Sequence, residues 1–403
     1  MIRLGLIGKT NTGKTTFFNA ATLATAEISN YPFTTKHPST GNAHAITICV
    51  HKEFDVQDNP KNSRCMDGWR YIPIELVDLP GLIKGAWQGK GLGNQFLTVA
   101  AQSDALIHVV DVSGGIDVTG RVTEQGTGDP VADIGDIEEE LAMWYLKLLE
   151  GNREKISRSI NSGVEIVTAI TDVLRGVGVR AEHVKMALQK NSMMDGRFDE
   201  FNPQKIKGFL RSLRSISKPT LILANKIDLP SAAKNFKRLR DRYKDVLIIP
   251  SSADAELTLR RAESRGLIRY NPGDERFEIV HQEQLNDKQK WALNFIRQDI
   301  LGEYLRTGVQ FAINVAVFKL LSMNTVYPVA DIKKLSDKHG NVLPDVYLME
   351  SGSTIEDLAR TIHTELAKGI LYAIDARDGL HLPRNYILKD RDILSIVSAK
   401  KRK

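Results

Sequence analysis

Short apolar runs separated by polar or glycine-containing segments recur along the first 255 residues. The first run holds Ile2, Leu4, Leu6 and Ile7, and later runs are apolar at consecutive positions, which is typical of strands in a parallel sheet covered on both faces. A helical pattern over residues 16–23 follows the first run. The pattern predicts an α/β domain, residues 1–112 and 219–255, with strands at residues 2–7, 45–50, 71–77, 106–111, 221–224 and 246–249.

Between the two parts of that domain, the spacing of apolar residues changes to that of helices. Ile137, Leu141, Trp144 and Leu148 recur at steps of four, three and four, and a similar stripe runs over residues 156–170. We therefore expect residues 113–218 to form a helical insertion, with its main body at residues 151–218 and loops near residues 191–202.

The C-terminal part of the chain predicts a connector followed by a second domain. Residues 256–313 form the connector, with a helix over 287–306. Residues 314–403 predict a small α+β domain in which Ser353 and Glu356 have the spacing of a capping box for a helix over 355–366. His363 on that helix is interpreted as structural. The strands predicted for this domain are residues 315–321, 347–350, 370–375 and 393–398.

Composition narrows the class of protein. The 403 residues are 42% hydrophobic, yet no apolar run is long enough to span a bilayer and the N-terminus enters a strand directly, which predicts a cytoplasmic protein without membrane contact. The only cysteines are Cys49 and Cys65. Their spacing matches neither a metal-ligand pattern nor a disulfide framework, so we expect a reducing compartment and no reactive thiol.

Charge leaves two explanations open for the helical insertion. The whole chain has a formal net charge of +6, and residues 151–218 alone hold 13 Lys and Arg against 7 Asp and Glu. Contact with RNA or a ribosome explains this basic excess, and so does a solvated helix face without any partner.

The first candidate site is a phosphate-binding loop that joins the first strand to the first helix. Its glycines let backbone N–H groups face a polyphosphate, the lysine reaches the terminal phosphates and the last threonine binds Mg²⁺. The pattern G-x-x-x-x-G-K-[ST], with the residue that follows it, is formed by Gly8, Lys9, Thr10, Asn11, Thr12, Gly13, Lys14, Thr15 and Thr16.

Two later segments contain groups suited to the metal and the γ-phosphate. Thr35 lies in a proline-punctuated loop, where a threonine can complete the Mg²⁺ shell, although a solvated turn explains the same segment. Asp78 ends a predicted strand and opens the pattern D-x-x-G, so it can hold a metal-bound water while the Gly81 N–H meets the γ-phosphate. Lys14, Thr35 and Gly81 are therefore the candidate catalytic residues.

A third segment predicts recognition of guanine. Asn225, Lys226 and Asp228 form N-K-x-D directly after a strand, and the Asp carboxylate can accept from both N1–H and the exocyclic amine of guanine, a fit that adenine lacks. The Asn amide can bond the other ring edge, and the Lys stem can lie over the base. Ser252 and Ala253 follow the last strand, where the Ala253 N–H is placed to read guanine O6.

Taken in this order, the motifs resemble a translation-factor-type GTPase of the Obg branch, and within it the YchF-like proteins. NYPFTT at residues 30–35 and DLPGLIKGAWQGKGLGNQFL at residues 78–97 are similar to the two switches of that branch. LMESGSTIEDLARTIH and YILKDRDILSIV, at residues 348–363 and 386–397, resemble a TGS domain. The resemblance implies a P-loop NTPase G domain with a helical insertion and a C-terminal TGS-like β-grasp domain.

The resemblance also implies an activity: hydrolysis of GTP with Mg²⁺, as a switch in translation or ribosome-associated work. YchF-like proteins are associated with N-x-x-E and ATP, whereas Asp228 restores the guanine pattern, so we expect GTP and keep a YchF-type ATPase as the alternative. Arg391 stands where the TGS pattern usually has Gly, which leaves the conformation of that turn open.

Hydrolysis is expected to be slow without help. Leu82 occupies the position where many GTPases have a Gln that orients the attacking water. Asn11 matches the Asn that potassium-using members of the family carry in the phosphate loop, which implies that K⁺ accelerates turnover. A ribosome- or RNA-binding regulator with a nearly non-hydrolysing nucleotide site is the other alternative.

Overall fold

The computed structural model describes residues 1–23, 38–82, 85–88, 93–194 and 201–399. The chain divides into two compact units. The smaller unit comprises residues 1–2, 42–74 and 313–403, and the larger unit comprises residues 3–41 and 75–312. No helix within the described ranges is long and apolar enough to cross a membrane.

A seven-stranded sheet carries the candidate site, in the order β2-β4-β1-β5-β6-β7 with β3 beside β4. The strands β4, β1, β5, β6 and β7 pair in parallel, so their carboxyl ends meet at one edge. Predicted strand ends at residues 50 and 246 are displaced, because ladder pairing and not local composition sets them. The strands are β1 (Arg3–Ile7), β2 (Ser39–Ile48), β3 (Arg64–Met66), β4 (Trp69–Asp78), β5 (Ala105–Asp111), β6 (Thr220–Asn225) and β7 (Ile248–Ser251).

Helices cover this sheet, and those of residues 130–217 share an apolar core with it. That core includes Ile7, Val77 and Leu82 from the sheet side together with Leu141 and Phe209 from the helices. The helices up to the end of β7 are α1 (Lys14–Thr22), α2 (Gly93–Gln102), α3 (Pro130–Glu150), α4 (Arg153–Asn161), α5 (Ile166–Leu174), α6 (Ala181–Lys190), α7 (Pro203–Ser217) and α8 (Ala232–Arg242).

After β7 the chain forms further helices and a two-stranded sheet of β8 (Ile268–Arg269) and β9 (Glu278–Ile279). The helix α9 (Ala253–Ser264) begins directly after β7. The helix predicted over 287–306 is present as α10 (Asp287–Phe295), a π-helical segment (Ile296–Leu301) and α11 (Gly302–Tyr304). Leu293 and Ile300 pack against Leu259 in a second apolar cluster.

The predicted strand over 315–321 is wrong. Those residues follow α12 (Val309–Asn314) as a π-helical segment (Val315–Leu320), and the strand begins only at Met323. Ala316 and Val317 are buried in the segment. A short apolar run fits a strand and a buried helix equally well, so periodicity alone did not separate them here.

The C-terminal residues form a five-stranded sheet in the order β11-β10-β14-β12-β13. One apolar cluster, which includes Val326, Ile355, Leu358 and Leu394, packs the first helix of this region against the sheet. The elements are β10 (Met323–Pro328), β11 (Tyr347–Glu350), α13 (Ile355–Ile362), α14 (Thr364–Gly369), β12 (Ile370–Asp375), β13 (His381–Pro383) and β14 (Asp392–Ser398).

The capping box of α13 lies one residue further along than predicted. The hydroxyl of Thr354, and not of Ser353, accepts from the backbone N–H of Asp357. The Asp357 carboxylate in turn accepts from the backbone N–H of Thr354. The helix ends at Ile362, before the predicted residue 366. His363 caps α14 by accepting from the Glu365 N–H, which is a structural role.

The two cysteines lie close together in the folded chain. Cys49 and Cys65 share one cluster with His51 and Asp58, and the four potential ligand atoms all lie within 4.8 Å of one another. The sequence prediction considered only the spacing of the two cysteines, and the fold adds a histidine and an aspartate to them. The pairing of β3 with β4 brings Cys65 back to the end of β2, a long-range contact that no short motif encodes.

Candidate nucleotide site

The phosphate loop, residues 8–15, lies between β1 and α1 in the larger unit. Two positions require glycine, since Gly8 has a φ of 145° and Gly13 a φ of 99°. A Cβ on Gly8 would lie 2.3 Å from the Val109 carbonyl oxygen, and one on Gly13 would lie 2.2 Å from Nδ2 of Asn225. The loop is therefore shaped by both glycines and packs closely on the ends of β5 and β6.

Lys14 is buried inside this loop. Its Nζ donates to the carbonyl oxygens of Gly8 at 3.1 Å and of Lys9 at 2.7 Å. Burial lowers the pKa of Lys14 to about 8, although the nearby Asp78 carboxylate opposes the shift. A desolvated ammonium that bonds only neutral carbonyls among the described residues gains stability when an anion enters the loop.

Thr15 and Asp78 supply oxygen ligands of the kind that Mg²⁺ prefers. The Thr15 hydroxyl donates to Oδ2 of Asp78 at 2.6 Å. Oδ1 of Asp78 is buried and has no hydrogen-bond partner within the described part of the chain. Burial raises the pKa of Asp78, against the effects of Lys14 and Thr15. This donor set fits a magnesium ion with its bound water. Thr35, the other predicted metal ligand, lies outside the described residues.

The D-x-x-G segment lies directly on the phosphate loop. A Cβ on Gly81 would lie 2.3 Å from Oγ1 of Thr10, and the Leu82 N–H donates to the Gly8 carbonyl at 3.1 Å. The Leu82 side chain is buried in the apolar core that also contains Leu79. Leu82 therefore has neither the chemistry nor the position to orient a water molecule.

The N-K-x-D segment is bonded both to the phosphate loop and to the start of α9. Nδ2 of Asn225 donates to the Thr12 carbonyl at 2.8 Å, and its Oδ1 accepts from the Ala253 N–H at 3.0 Å. Asp228 is partly exposed, and no described residue donates a hydrogen bond to its carboxylate. Asn225 thus holds the architecture, and Asp228 is available to a ligand.

Lys226, Ser252 and Ala253 also lie where the motif order predicts. Nζ of Lys226 donates to Oδ2 of Asp111 at 2.7 Å and to the Asn11 carbonyl at 2.9 Å. Ser252 caps α9, and its own N–H donates to the Thr307 carbonyl. Since Asn225 already occupies the Ala253 N–H, a guanine O6 at this position competes with an existing bond. Thr16 lies partly buried in the first turn of α1.

The acidic partners of Lys9 were not predicted from the sequence. Nζ of Lys9 donates to Asp133 at 2.6 Å and to Asp136 at 3.1 Å, both on α3. Burial opposes the charge on Lys9, but the two carboxylates outweigh it and raise the pKa of Lys9. The signal that could have found them is the pair of acids three residues apart in the first two turns of α3.

A second missed feature is the segment between β5 and α3. Nδ2 of Asn11 donates to the Gly120 carbonyl at 2.9 Å, and a Cβ on Gly120 would lie 3.1 Å from Cβ of Thr10. The segment therefore lies against the phosphate loop at two positions. Asn11 is also the predicted potassium ligand, so the residue expected to bind the ion is bonded to this segment.

Residues 85–88 are bonded to α3. The N–H groups of Gly85 and Trp87 both donate to the buried carboxylate of Glu140, and Nζ of Lys147 donates to the Trp87 carbonyl at 3.1 Å. The segment that resembles a nucleotide-sensing switch is thus attached to the first helix of the predicted insertion.

Family models match three parts of the chain. Residues 3–142 match "50S ribosome-binding GTPase", residues 223–331 match "Obg-like GTPase YGR210-like, G4 motif-containing domain", and residues 336–398 match "TGS domain". The three matches fall on the phosphate loop and D-x-x-G, on N-K-x-D, and on the C-terminal sheet.

Relatives of the full length show the same relationship. An uncharacterized GTP-binding protein of Methanocaldococcus jannaschii is 45% identical over 100% of both chains, and one of Schizosaccharomyces pombe is 31% identical over 90% of both. A crystal structure of a GTP-binding protein from Pyrococcus horikoshii OT3 superposes with a TM-score of 0.79 at 35% identity, covering 99% of this chain and 100% of that one. The chain therefore belongs to the Obg-like GTPases of the YGR210-like type, with a C-terminal TGS domain.

Proposed function

We propose that this protein binds GTP and hydrolyses it to GDP and phosphate, as a conformational switch in translation or ribosome-associated work. The observation that carries the proposal is the pair Asn225 and Asp228. Asn225 ties the phosphate loop to the start of α9, while Asp228 presents a carboxylate without a hydrogen-bonded partner among the described residues. A carboxylate in that position recognises the two adjacent N–H donors of guanine.

The roles of the phosphate-side residues follow from their chemistry. Lys14 and the loop amides neutralise the β and γ phosphates, and the Gly81 N–H binds the γ-phosphate. Thr15, Thr35 and Asp78, the last through water, hold Mg²⁺ in this proposal. The ion, when bound, neutralises charge on the phosphate oxygens. Catalysis is then mainly positioning and charge stabilisation.

A substitution at Asp228 tests the base assignment. Asp228→Asn exchanges an acceptor for a donor, which no longer fits the amine of guanine but fits the second carbonyl of xanthine. We expect GTP affinity to fall by about 100-fold, as two charge-assisted bonds are lost, and XTP affinity to rise by a similar factor. Fluorescent-nucleotide titration measures both. Asp245→Asn, at an exposed carboxylate before β7, is the matched control and should change neither.

The competing interpretation is an ATPase. Relatives named "Ribosome-binding ATPase YchF", from Haemophilus ducreyi at 27% identity and Bacillus subtilis at 28%, resemble 92% and 65% of this chain. Tighter binding of ATP than of GTP by the unaltered protein would overturn the guanine assignment and favour this alternative.

Water activation is the second point to test. Because Leu82 is buried, we propose that K⁺ bound near Asn11, or a partner, replaces the missing Gln. Hydrolysis of GTP should be faster in KCl than in NaCl at equal ionic strength, and Asn11→Ala should remove the difference. Equal rates in the two salts would reject the potassium role while leaving GTP hydrolysis intact.

The ribosome is the partner class that we propose. The matched description "50S ribosome-binding GTPase" and the relatives' names support it. The excess of Lys and Arg in residues 151–218 is weaker support for ribosome binding than the sequence alone suggested. Several of those cations pair with carboxylates of the protein, namely Lys207 and Arg211 with Glu139, Arg214 with Glu138, Arg175 with Asp172, and Arg153 with Glu150.

Single-turnover hydrolysis with and without ribosomes separates the remaining possibilities. A switch that depends on the ribosome should hydrolyse GTP faster with ribosomes and sediment with them in one nucleotide state. No turnover under either condition would instead favour a regulator with a nearly non-hydrolysing site. The Glu140 contacts to Gly85 and Trp87 offer a route by which the switch segment transmits the nucleotide state to α3.

A further inference from the structure

A cluster of four side chains of metal-binding types lies in the smaller unit, apart from the residues of the nucleotide site. Cys49 follows β2, His51 lies in the helical turn after it (Val50–Glu53), Asp58 lies in the next loop and Cys65 lies in β3. Cys49 and Asp58 are buried, and the other two are partly buried. The Cys49 N–H donates to the Gly68 carbonyl at 2.8 Å, which closes the segment on itself.

The distances within the cluster suit a single tetrahedral ion. Sγ of Cys49 lies 3.2 Å from Oδ2 of Asp58, Nδ1 of His51 lies 3.3 Å from the same oxygen, and Sγ of Cys65 lies 3.5 Å from Nδ1 of His51. Zinc bonds of about 2.0–2.3 Å to nitrogen, oxygen and sulfur place tetrahedral ligands roughly 3.3–3.8 Å apart. These three separations are therefore close to the tetrahedral values, and the other pairs of ligand atoms lie within 4.8 Å.

The charges of the four ligands would also be balanced by a divalent ion together with Arg70. Two thiolates and one carboxylate carry three negative charges, and a divalent ion together with the guanidinium of Arg70 carries three positive ones. Arg70 is fully buried, and its Nη1 donates to Oδ2 of Asp58 at 3.1 Å. An outer partner of this kind orients a ligating carboxylate, as second-layer hydrogen bonds do in known metal sites.

We propose that Cys49, His51, Asp58 and Cys65 bind one structural Zn²⁺. Two sulfur ligands, one imidazole and one carboxylate favour zinc over magnesium or calcium, which prefer oxygen. Four protein ligands leave no open position in a tetrahedral shell, so the ion has a structural role and no catalytic one.

The structure indicates what the ion stabilises. The segment that carries the ligands is bonded to the residues after β10: the Asn59 N–H donates to the Val342 carbonyl at 2.8 Å and the Lys61 N–H to the Pro344 carbonyl at 2.7 Å. Arg70 donates to the Leu343 carbonyl as well. An ion that fixes residues 49–65 therefore also fixes the surface on which part of the C-terminal region packs.

Metal content of the untagged, full-length protein tests the proposal. We expect one zinc per chain by elemental analysis, and a tetrahedral Co²⁺ spectrum with thiolate charge-transfer bands after exchange of the metal. Cys65→Ser and Asp58→Asn should each lower zinc affinity by at least about tenfold. Asp67→Asn changes an exposed carboxylate two residues after Cys65, and should leave zinc binding unchanged.

Nucleotide binding by the same variants shows whether they are folded, because the nucleotide site uses none of these residues. A protein that stays free of zinc when excess Zn²⁺ is supplied, or a Cys65→Ser variant that retains full zinc affinity, would overturn the proposal. A disulfide between Cys49 and Cys65 in reductant-free protein would overturn it too. None of these results bears on whether the protein hydrolyses GTP.

Discussion

Two buried cations of this protein have opposite surroundings. Arg70, in the smaller unit, bonds the Asp58 carboxylate and the Leu343 carbonyl and lies 5.5 Å from the ring centroid of Tyr327. Lys14, in the larger unit, donates only to main-chain carbonyls among the described residues, and burial lowers its pKa to about 8. A cation that holds structure is matched by an anion of the protein. The cation that faces the phosphate loop has a carboxylate, Asp78, nearby but donates no hydrogen bond to it.

The largest effect that this contrast predicts is on stability. In protein freed of the proposed zinc ion, Arg70→Met leaves Asp58 buried without the guanidinium that pairs with it, so the free energy of unfolding should fall by about 3–5 kcal/mol. Urea-induced unfolding of the nucleotide-free protein, followed by circular dichroism, measures the change. Arg64→Met, at an exposed position of β3, is the matched control and should differ from the unaltered protein by less than about 0.5 kcal/mol.

The second effect is on ligand binding. Lys14→Met removes the charge that faces the phosphates, so GTP affinity should fall by about 100-fold, or about 2.7 kcal/mol. The nucleotide-free variant should lose less stability than Arg70→Met, because Lys14 donates no hydrogen bond to a carboxylate and the nearby Asp78 keeps its bond from Thr15. Lys9→Met should instead be destabilised, since it leaves Asp133 unpaired. A large loss of stability in Lys14→Met would contradict the contrast.

The third effect is a pH dependence of nucleotide affinity. In the nucleotide-free protein Lys14 loses its proton as the pH rises through about 8, whereas a bound polyphosphate raises its pKa and keeps the proton. Binding therefore takes up a proton above that pH, and affinity should fall by up to about tenfold per pH unit there. Isothermal titration calorimetry in buffers of different ionisation enthalpy detects the proton. The slope should vanish in Lys14→Met, and a flat profile in the unaltered protein would reject the assignment.

The smallest effect concerns Arg391, which has a φ of 69° where the TGS pattern usually has Gly. A positive φ at a non-glycine residue strains the backbone of this turn by about 1 kcal/mol. The Arg391 side chain forms an ion pair with Glu53. Arg391→Gly and Arg391→Ala both lose this pair, but only the glycine variant relieves the strain. The glycine variant should therefore be more stable than the alanine variant by about 1 kcal/mol in urea unfolding. Equal stabilities would indicate that the turn relaxes.

Much of the nucleotide site could be predicted because its groups are local in sequence. Residues 8–15 need only their own glycines to bend, and Asp78 and Asn225 come at the ends of strands that meet at one sheet edge. The partners of these groups could not be predicted in the same way. Lys9 meets Asp133 across 124 positions of sequence, and Asn11 meets Gly120 across 109, through contacts that only the packing of the folded chain creates.

The same distinction applies to the elements. Strands β11 and β12 match their predicted ends, whereas residues 315–320 are helical because burial, and not strand propensity, decided between two structures compatible with an apolar run. By itself, the sequence determined the family and the phosphate loop and singled out the carboxylate that we propose recognises the base, since each is indicated by short motifs of adjacent residues. Only the tertiary structure brought Cys49, His51, Asp58 and Cys65 together and buried Arg70 beside them, because strand pairing sets distances that sequence spacing does not contain.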